Sequence, residues 1–576
     1  MRLIISYLIS HMKKLIVLLT LFSFASLASE KLPIPTYLKL FDSYLIELHR
    51  LDGDGLLPRT DEGAGRTMTW PQVTKQLRKD LSRAKTKFEV GNVFRRLDAA
   101  YTNLHAHIDL SKDYNFESEG HLQLAVAFWP DQLSENGEVN KYIVSNVRKE
   151  YFSNLEPEQR PKLMDELISI NGRNIKSWQD ENMNFCKFPL KSQCELNFKD
   201  NFKMERLSWN RRKPLKMTVK RGGKLLSFNI PVISMKGWNP SEEENSGSKR
   251  GPKELPPPPE NCRLSPDRYP DFKLVYQGLQ ACAYEKTDLP NVTLLRIGGF
   301  SYWKNKYKTD INNVRVEAEK FYQLYWKRKA SETKKLIIDV VSNHGGDIIT
   351  PWGALFIESG FQDQWVEFKN LKEYAADEQW RKDSFYDDPS KYTFFKDYQA
   401  KLASGQLKSE DYMPRTPQFC PTDEGDCYTE KWPSKKTGFK GDVIILTDEM
   451  CISSCVGFVW TMKTYLKDRV KFVGVPDSGD STYSRAYVEG GLDNSKQGYY
   501  LKAMPRPPKS SSQVNENAIF KYAVSTSRQT DEKGAIISGK PQKIDLFMYP
   551  HWREDPNEWT ARMLKVVVEK ISEKQL

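Results

Sequence analysis

Histidine is scarce in this chain, with seven scattered copies in 576 residues. No two cysteine pairs repeat the C-x-x-C spacing of a structural zinc site either. Together these absences exclude a histidine- or cysteine-built metal centre as the organising feature, and no cofactor is implied. Beyond the amino terminus, no apolar run approaches the roughly 20 residues that span a bilayer, so no permanent membrane span is expected. Blocks of one charge are missing as well. Lys and Arg number 87 against 75 Asp and Glu, a net +12, but the signs are interspersed. Short basic runs such as Lys327-Arg328-Lys329 read as solvated helix faces, which argues against a nucleic-acid partner.

What is present points to an exported protein of several domains. A chain of 576 residues is too long for one core. Met12-Lys13-Lys14, the apolar run Leu15 to Phe22 and the exit Ser26-Leu27-Ala28 have the order of a secretory leader, 1–28. Eight cysteines fall into four near neighbours: Cys186 with Cys194, Cys262 with Cys282, Cys420 with Cys427, and Cys451 with Cys455. An even count in an exported chain favours disulfides. Neighbour pairing is the simplest arrangement, although spacing alone leaves connectivity open.

Composition divides the remainder. Residues 29–118 read as helical, with apolar residues at three- and four-residue spacing from Val73 to Leu104. They end in His105-Ala106-His107-Ile108-Asp109-Leu110, whose alternation suggests a strand. Residues 119–237 hold two hairpin patterns, one turning at Asn171-Gly172 and one at Gly222-Gly223. Residues 238–262, rich in Glu, Ser and Pro, read as a linker. Strands alternate with helices over 263–576, which predicts a parallel or mixed sheet. A polar, aromatic segment at 352–440 is too long for a plain connection and is expected to cap a crevice.

Two stretches carry the chemistry. Leu336 to Val341 is a short β-branched strand pattern that breaks into Ser342-Asn343-His344-Gly345-Gly346-Asp347. Asp442 to Thr447 is a second strand pattern, followed by Cys451-Ile452-Ser453-Ser454-Cys455 and a helical pattern. If the strands are parallel neighbours, both carboxyl ends face one crevice. Paired glycines whose amides can approach a ligand would then stand beside a hydroxyl, as an oxyanion hole stands beside a nucleophile.

In this order the motifs resemble the S41 serine peptidases, the carboxyl-terminal processing and tricorn-core type. "LIIDVVSNHGGD", "VIILTDEMCISSCVGF", "KFVGVPDSGDS" and "YTNLHAHI" are similar to successive segments of that family. "LISINGRNI" and "VKRGGK" resemble a PDZ domain, which takes extended or carboxyl-terminal peptides onto a sheet edge. The resemblance implies a multidomain α+β protein with a helical amino-terminal region, a PDZ-like β domain and an α/β catalytic domain of the ClpP/crotonase-like type. It implies a polypeptide substrate and a periplasmic or extracellular place of work. It puts the nucleophile at Ser453, with Ser454 the alternative, and oxyanion donors at Gly345, Gly346 and Ser454.

The base is less direct. The processing-peptidase branch uses a lysine in the loop after the next strand, and 474–481 contains none. The tricorn-like branch uses an upstream histidine, which falls on His105, with His107 the alternative. Its late orienting glutamate falls on Ser538, leaving Asp109 and Glu532 as candidate acids. The missing lysine and displaced glutamate motivate a second reading, an inactive peptide-binding scaffold on the same fold. Against the catalytic roles also stand a helix cap at Ser453-Ser454, ordinary packed histidines, and a cysteine nucleophile at Cys455.

Overall fold

The computed structural model describes residues 32–53, 68–114, 122–201, 215–234, 268–278, 280–300, 303–305, 308–309, 311–346, 350–357, 365–369, 401, 404–406, 412, 416–417, 439–480, 485–504, 517–531, 533–573 and 575. The expected leader, the linker, most of 352–440, and Cys262, Cys420, Cys427 and Glu532 lie outside these residues.

Helices α1 (Ile34–Leu51), α2 (Trp70–Ser82) and α3 (Lys87–Ala100) open the structure. The apolar spacing through 70–104 reads as continuous helix, but the chain breaks after α2. It restarts at Thr86, whose hydroxyl accepts from Glu89 N at 3.1 Å and caps α3. Strand β1 (His107–Leu110) follows.

The next unit is a sheet of β2 (Val126–Leu133), β3 (Val139–Val147), β4 (Glu166–Ile170), β5 (Arg173–Asn174), β6 (Leu215–Arg221) and β7 (Lys224–Ile230). The spatial order is β2-β3-β4-β6-β7, with β5 folded back on β4. Asn171 and Gly172, at φ 52° and 75°, make the tight turn between β4 and β5 that their sequence calls for. Between β5 and β6 lie α4 (Ile175–Met183) and α5 (Lys191–Asn201). A disulfide joins Cys186 to Cys194 at the start of α5.

The largest sheet has seven strands. β8 (Lys273–Gln277) and β9 (Ala281–Glu285) are antiparallel. β10 (Val292–Ile297), β11 (Lys335–Asp339), β12 (Asp442–Thr447), β13 (Val470–Gly474) and the short Leu546–Phe547 strand run parallel to one another. The fold is thus a mixed α+β one built on a mixed sheet, and the two motif-bearing strands, β11 and β12, are adjacent and parallel. Each strand's side chains alternate between two apolar layers. Leu336, Ile338, Val443 and Ile445 face the helix α6 (Ile311–Phe321) and α7 (Ser454–Leu466). Ile337, Ile444 and Leu446 face Trp559, Met563 and Val567 of the last helix, α8 (Pro556–Ser572), and also Trp129 and Ile143 of the second unit.

A further sheet has four strands. Strand β1 pairs with Ala518–Ser525, which pairs with Arg485–Leu492 and through it Tyr499–Met504. Helices α1 to α3 pack on it through Tyr37, Phe41, Tyr44, Phe94, Phe520 and Tyr522. The amino-terminal helices therefore share their core with a late part of the chain.

Candidate active site

The serine turn is built locally. Strand β12 ends at Thr447, and Cys451 to Ser453 lead into α7. Ser453 takes φ 60°, ψ −127°, a backbone setting that costs a non-glycine residue roughly 1–3 kcal/mol. Several contacts hold it there. The Cys451–Cys455 disulfide closes the turn, with the Cα atoms 5.2 Å apart. Gly457 N donates to Ser453 O at 3.1 Å, and Ser453 N donates to Asp480 O at 2.6 Å. Ser453 is half-buried at the amino end of an apolar helix.

Strand β11 delivers the glycines against this turn. Gly345, at φ 84°, sits so close that a Cβ there would stand 2.4 Å from Ile452 O, 2.7 Å from Ser453 Cβ and 2.9 Å from Ser454 N. No other residue fits. The Ser454 hydroxyl donates to Gly346 O at 2.7 Å. Asn343, fully buried, shapes the turn by donating to Ile297 O and accepting from Gly345 N at 2.9 Å. That bond engages the Gly345 amide within the turn. Among the described residues, the Gly346 amide has no acceptor.

His105 reaches the same place from the other end of the chain. It lies in the bend before β1, and its Nδ1 is 3.0 Å from Asp480 Oδ1, with both side chains below a tenth exposed. The approach is close, but the ring N–H is turned off the N···O line, so Nδ1 makes no aligned hydrogen bond in this state. The other carboxylate oxygen of Asp480 accepts from Leu104 N at 2.6 Å and His105 N at 3.1 Å. Asn103 steadies the bend by accepting from Ala106 N. Asp480 therefore holds the histidine through its carboxylate and the serine through its own carbonyl.

Buried charges brace both halves. Asp339, at the end of β11, is contacted by Arg268 and Arg296 at 2.8 and 3.1 Å, and by the Tyr269 hydroxyl. Burial pushes its carboxyl up, yet the two guanidinium groups outweigh that and hold it below the ordinary range. Asp477 accepts from Gly479 N and Gln542 N, and burial pushes it up to about 7. Gln193 of α5 donates to Pro476 O at 3.0 Å and to Asp477 O, pinning the second unit to the loop that carries Asp480. Asp448 accepts from Ser342 N at 2.9 Å, and burial pushes its carboxyl up.

The remaining sequence candidates fall elsewhere. His107 is exposed on β1, 3.9 Å from the exposed Asp109, so these two face each other rather than the Ser453 turn. Ser538 is buried, and its hydroxyl accepts from Gln529 N. His344 is exposed beside the glycine turn. Cys455 is bonded to Cys451. Sequence reasoning misses Asp480, because the family resemblance directs attention to a lysine in the loop after β13. Two acids spaced in Asp477-Ser478-Gly479-Asp480, at the carboxyl end of a parallel strand, are the available signal.

No protein-family model matches the chain, and no curated protein matches it by sequence. Solved structures do. Mature CPAF superposes with a TM-score of 0.55 at 13% identity, over 94% of this chain and 98% of that one. Mature CPAF complexed with lactacystin gives a TM-score of 0.54 at 13% identity, over 94% and 99%. At such identity the likeness concerns the fold, and it spans nearly the whole of both chains. The fold of this protein is accordingly that of mature CPAF, in line with the S41 resemblance of its motifs.

Proposed function

We propose that this chain is an exported serine endopeptidase that hydrolyses peptide bonds by acylation of Ser453. The observation that supports this most is the double engagement of Asp480, which bonds to the Ser453 backbone and lies against the His105 ring. Asp480 facing Nδ1 favours the tautomer that leaves Nε2 as the base. In the first step Ser453 Oγ attacks the scissile carbonyl carbon and its proton passes to His105 Nε2. The oxyanion is met by the amides of Gly346 and Ser454. The carbon–nitrogen bond then breaks as His105 returns the proton to the leaving amine. A water repeats the sequence in reverse to release the acid and restore the serine. Asp480 takes the orienting part that the family resemblance gives to a late glutamate. The PDZ-like reading of 119–237 supplies the means of holding an extended chain, and the two disulfides agree with work in the periplasm or outside the cell.

The test is hydrolysis of an unfolded protein such as reduced casein. Ser453→Ala is expected to lower kcat by roughly 10⁴–10⁶ while leaving the melting temperature in place. Undiminished cleavage by that variant would remove the proposal, whatever the fold.

A further inference from the structure

The second unit contains a cleft of about 640 Å³ where β3 and β4 part company. Their ladder stops at Tyr142↔Leu167. Past that point β4 gives the same edge to β5, through Ser169↔Asn174 and Ile170↔Arg173. Among the described residues, 139–141 of β3 have partners on the β2 side and none on the other. Backbone direction alternates along a strand, and Val144 already bonds toward the β4 side at Asp165. Asn140 therefore turns its amide and carbonyl into the cleft. An open edge beside a groove is how a sheet accepts an added strand.

The floor of the cleft is acidic. Glu195 of α5 is 2% exposed and lines it. The Tyr142 hydroxyl and the Gln179 amide both donate to its Oε2, while Oε1 has no hydrogen-bond partner among the described residues. Burial pushes the carboxyl up to about 7, a shift that a cation bound beside it would reverse. A cation with N–H groups entering the cleft would give that oxygen a charged donor. Glu138, Glu166 and Asp180 add three more carboxylates to the lining. Against them stand Lys176, Lys191, whose charge already acts on Glu195, and Lys141, which lies 3.2 Å from Asp131 outside the cleft. With four carboxylates to three lysines, and Glu195 at the floor, the lining favours an ammonium or guanidinium group over a terminal carboxylate.

We infer that this cleft takes an extended internal segment of polypeptide, which pairs with the β3 edge at 139–141 and sends a lysine or arginine side chain to Glu195. The inference deepens the peptidase reading by naming the class of chain the enzyme holds, but its test does not need an active nucleophile. The full-length Ser453→Ala protein is titrated with a fluorescein-labelled, end-capped decapeptide of valine, threonine and serine bearing one central lysine, and anisotropy is read. Replacing that lysine by norleucine is expected to weaken binding at least about tenfold, and Glu195→Gln to do the same for the lysine peptide. With the norleucine peptide, Glu195→Gln should change nothing. A free carboxyl terminus should give no tighter binding than the capped end. Equal binding of lysine and norleucine peptides, tighter binding of the free carboxylate, or no binding at all would each overturn the inference. A chain that binds as described yet fails to cleave when Ser453 is present would sink the peptidase reading alone.

Discussion

The two halves of the candidate site are held by different means. The serine half is one strand–turn–helix segment with a neighbouring strand's glycine turn pressed onto it, and both strands belong to the same seven-stranded sheet. Its fixings are short-range: a disulfide four residues long, a helix start, and backbone packing too tight for a side chain at Gly345. The histidine half is a bend carried by another core, that of α1 to α3 on the four-stranded sheet. Its position relative to the serine depends on Asp480, which is reached across some 375 residues of chain. Injury to the packing that presents the serine, as opposed to loss of its hydroxyl alone, should therefore disturb fold and rate together, whereas injury to the histidine half should disturb rate alone.

The substitution that separates these most sharply is Asp480→Asn. An amide oxygen can still accept from Leu104 and His105, so the bend survives, but an NH₂ group facing Nδ1 favours the wrong tautomer. A loss of roughly 10³–10⁴ in kcat is expected, with little change in KM or melting temperature. A fall in melting temperature that tracks the loss would break the contrast. Gly345→Ala comes next. Its Cβ has backbone atoms in the way and the residue is left-handed, so activity should drop about 10²-fold and stability by about 2–4 kcal/mol in urea unfolding.

Gln193→Leu tests whether the second unit steadies the loop bearing Asp480. It leaves the Pro476 and Asp477 carbonyls without their donor, and a reduction in kcat of about tenfold is expected. Equal kcat would mean that the loop keeps its place unaided. The smallest effect is on pH. Burial raises Asp448, so the folded state keeps a proton that the unfolded chain gives up. The stability this contributes is complete below the unfolded carboxyl pKa of about 3.9 and is lost as pH climbs through the raised folded value. Asp448→Asn, which can still accept from Ser342 N, should raise the melting temperature by a few degrees at pH 8. The difference should narrow toward pH 5 and close only below the unfolded carboxyl pKa. A constant difference at both pH values would rule out ionisation as its source.

Much of the serine half is legible in the residues. Strands β11 and β12 are uninterrupted apolar runs bounded by turn signals, as buried parallel strands are, but that they are neighbours enters the sequence reading only as a condition, which their pairing meets. The hairpins at Asn171-Gly172 and Gly222-Gly223 are equally local. The histidine half is legible only as a motif. His105 can be named, but which acid meets it depends on how two distant cores dock, and no periodicity records that. Asp480 resembles any loop aspartate until Leu104 and His105 are brought onto it. The fork between β3 and β4 is hidden for the same reason, since pairing partners are chosen by the whole sheet rather than by any one strand.

Labelling with a fluorophosphonate, followed by mass spectrometry of the digested protein, addresses the central claim directly. The account predicts one adduct, on Ser453, formed readily in the native protein and much more slowly in His105→Ala and Asp480→Asn. An adduct on Ser454, or labelling of Ser453 that is indifferent to both substitutions, would contradict it.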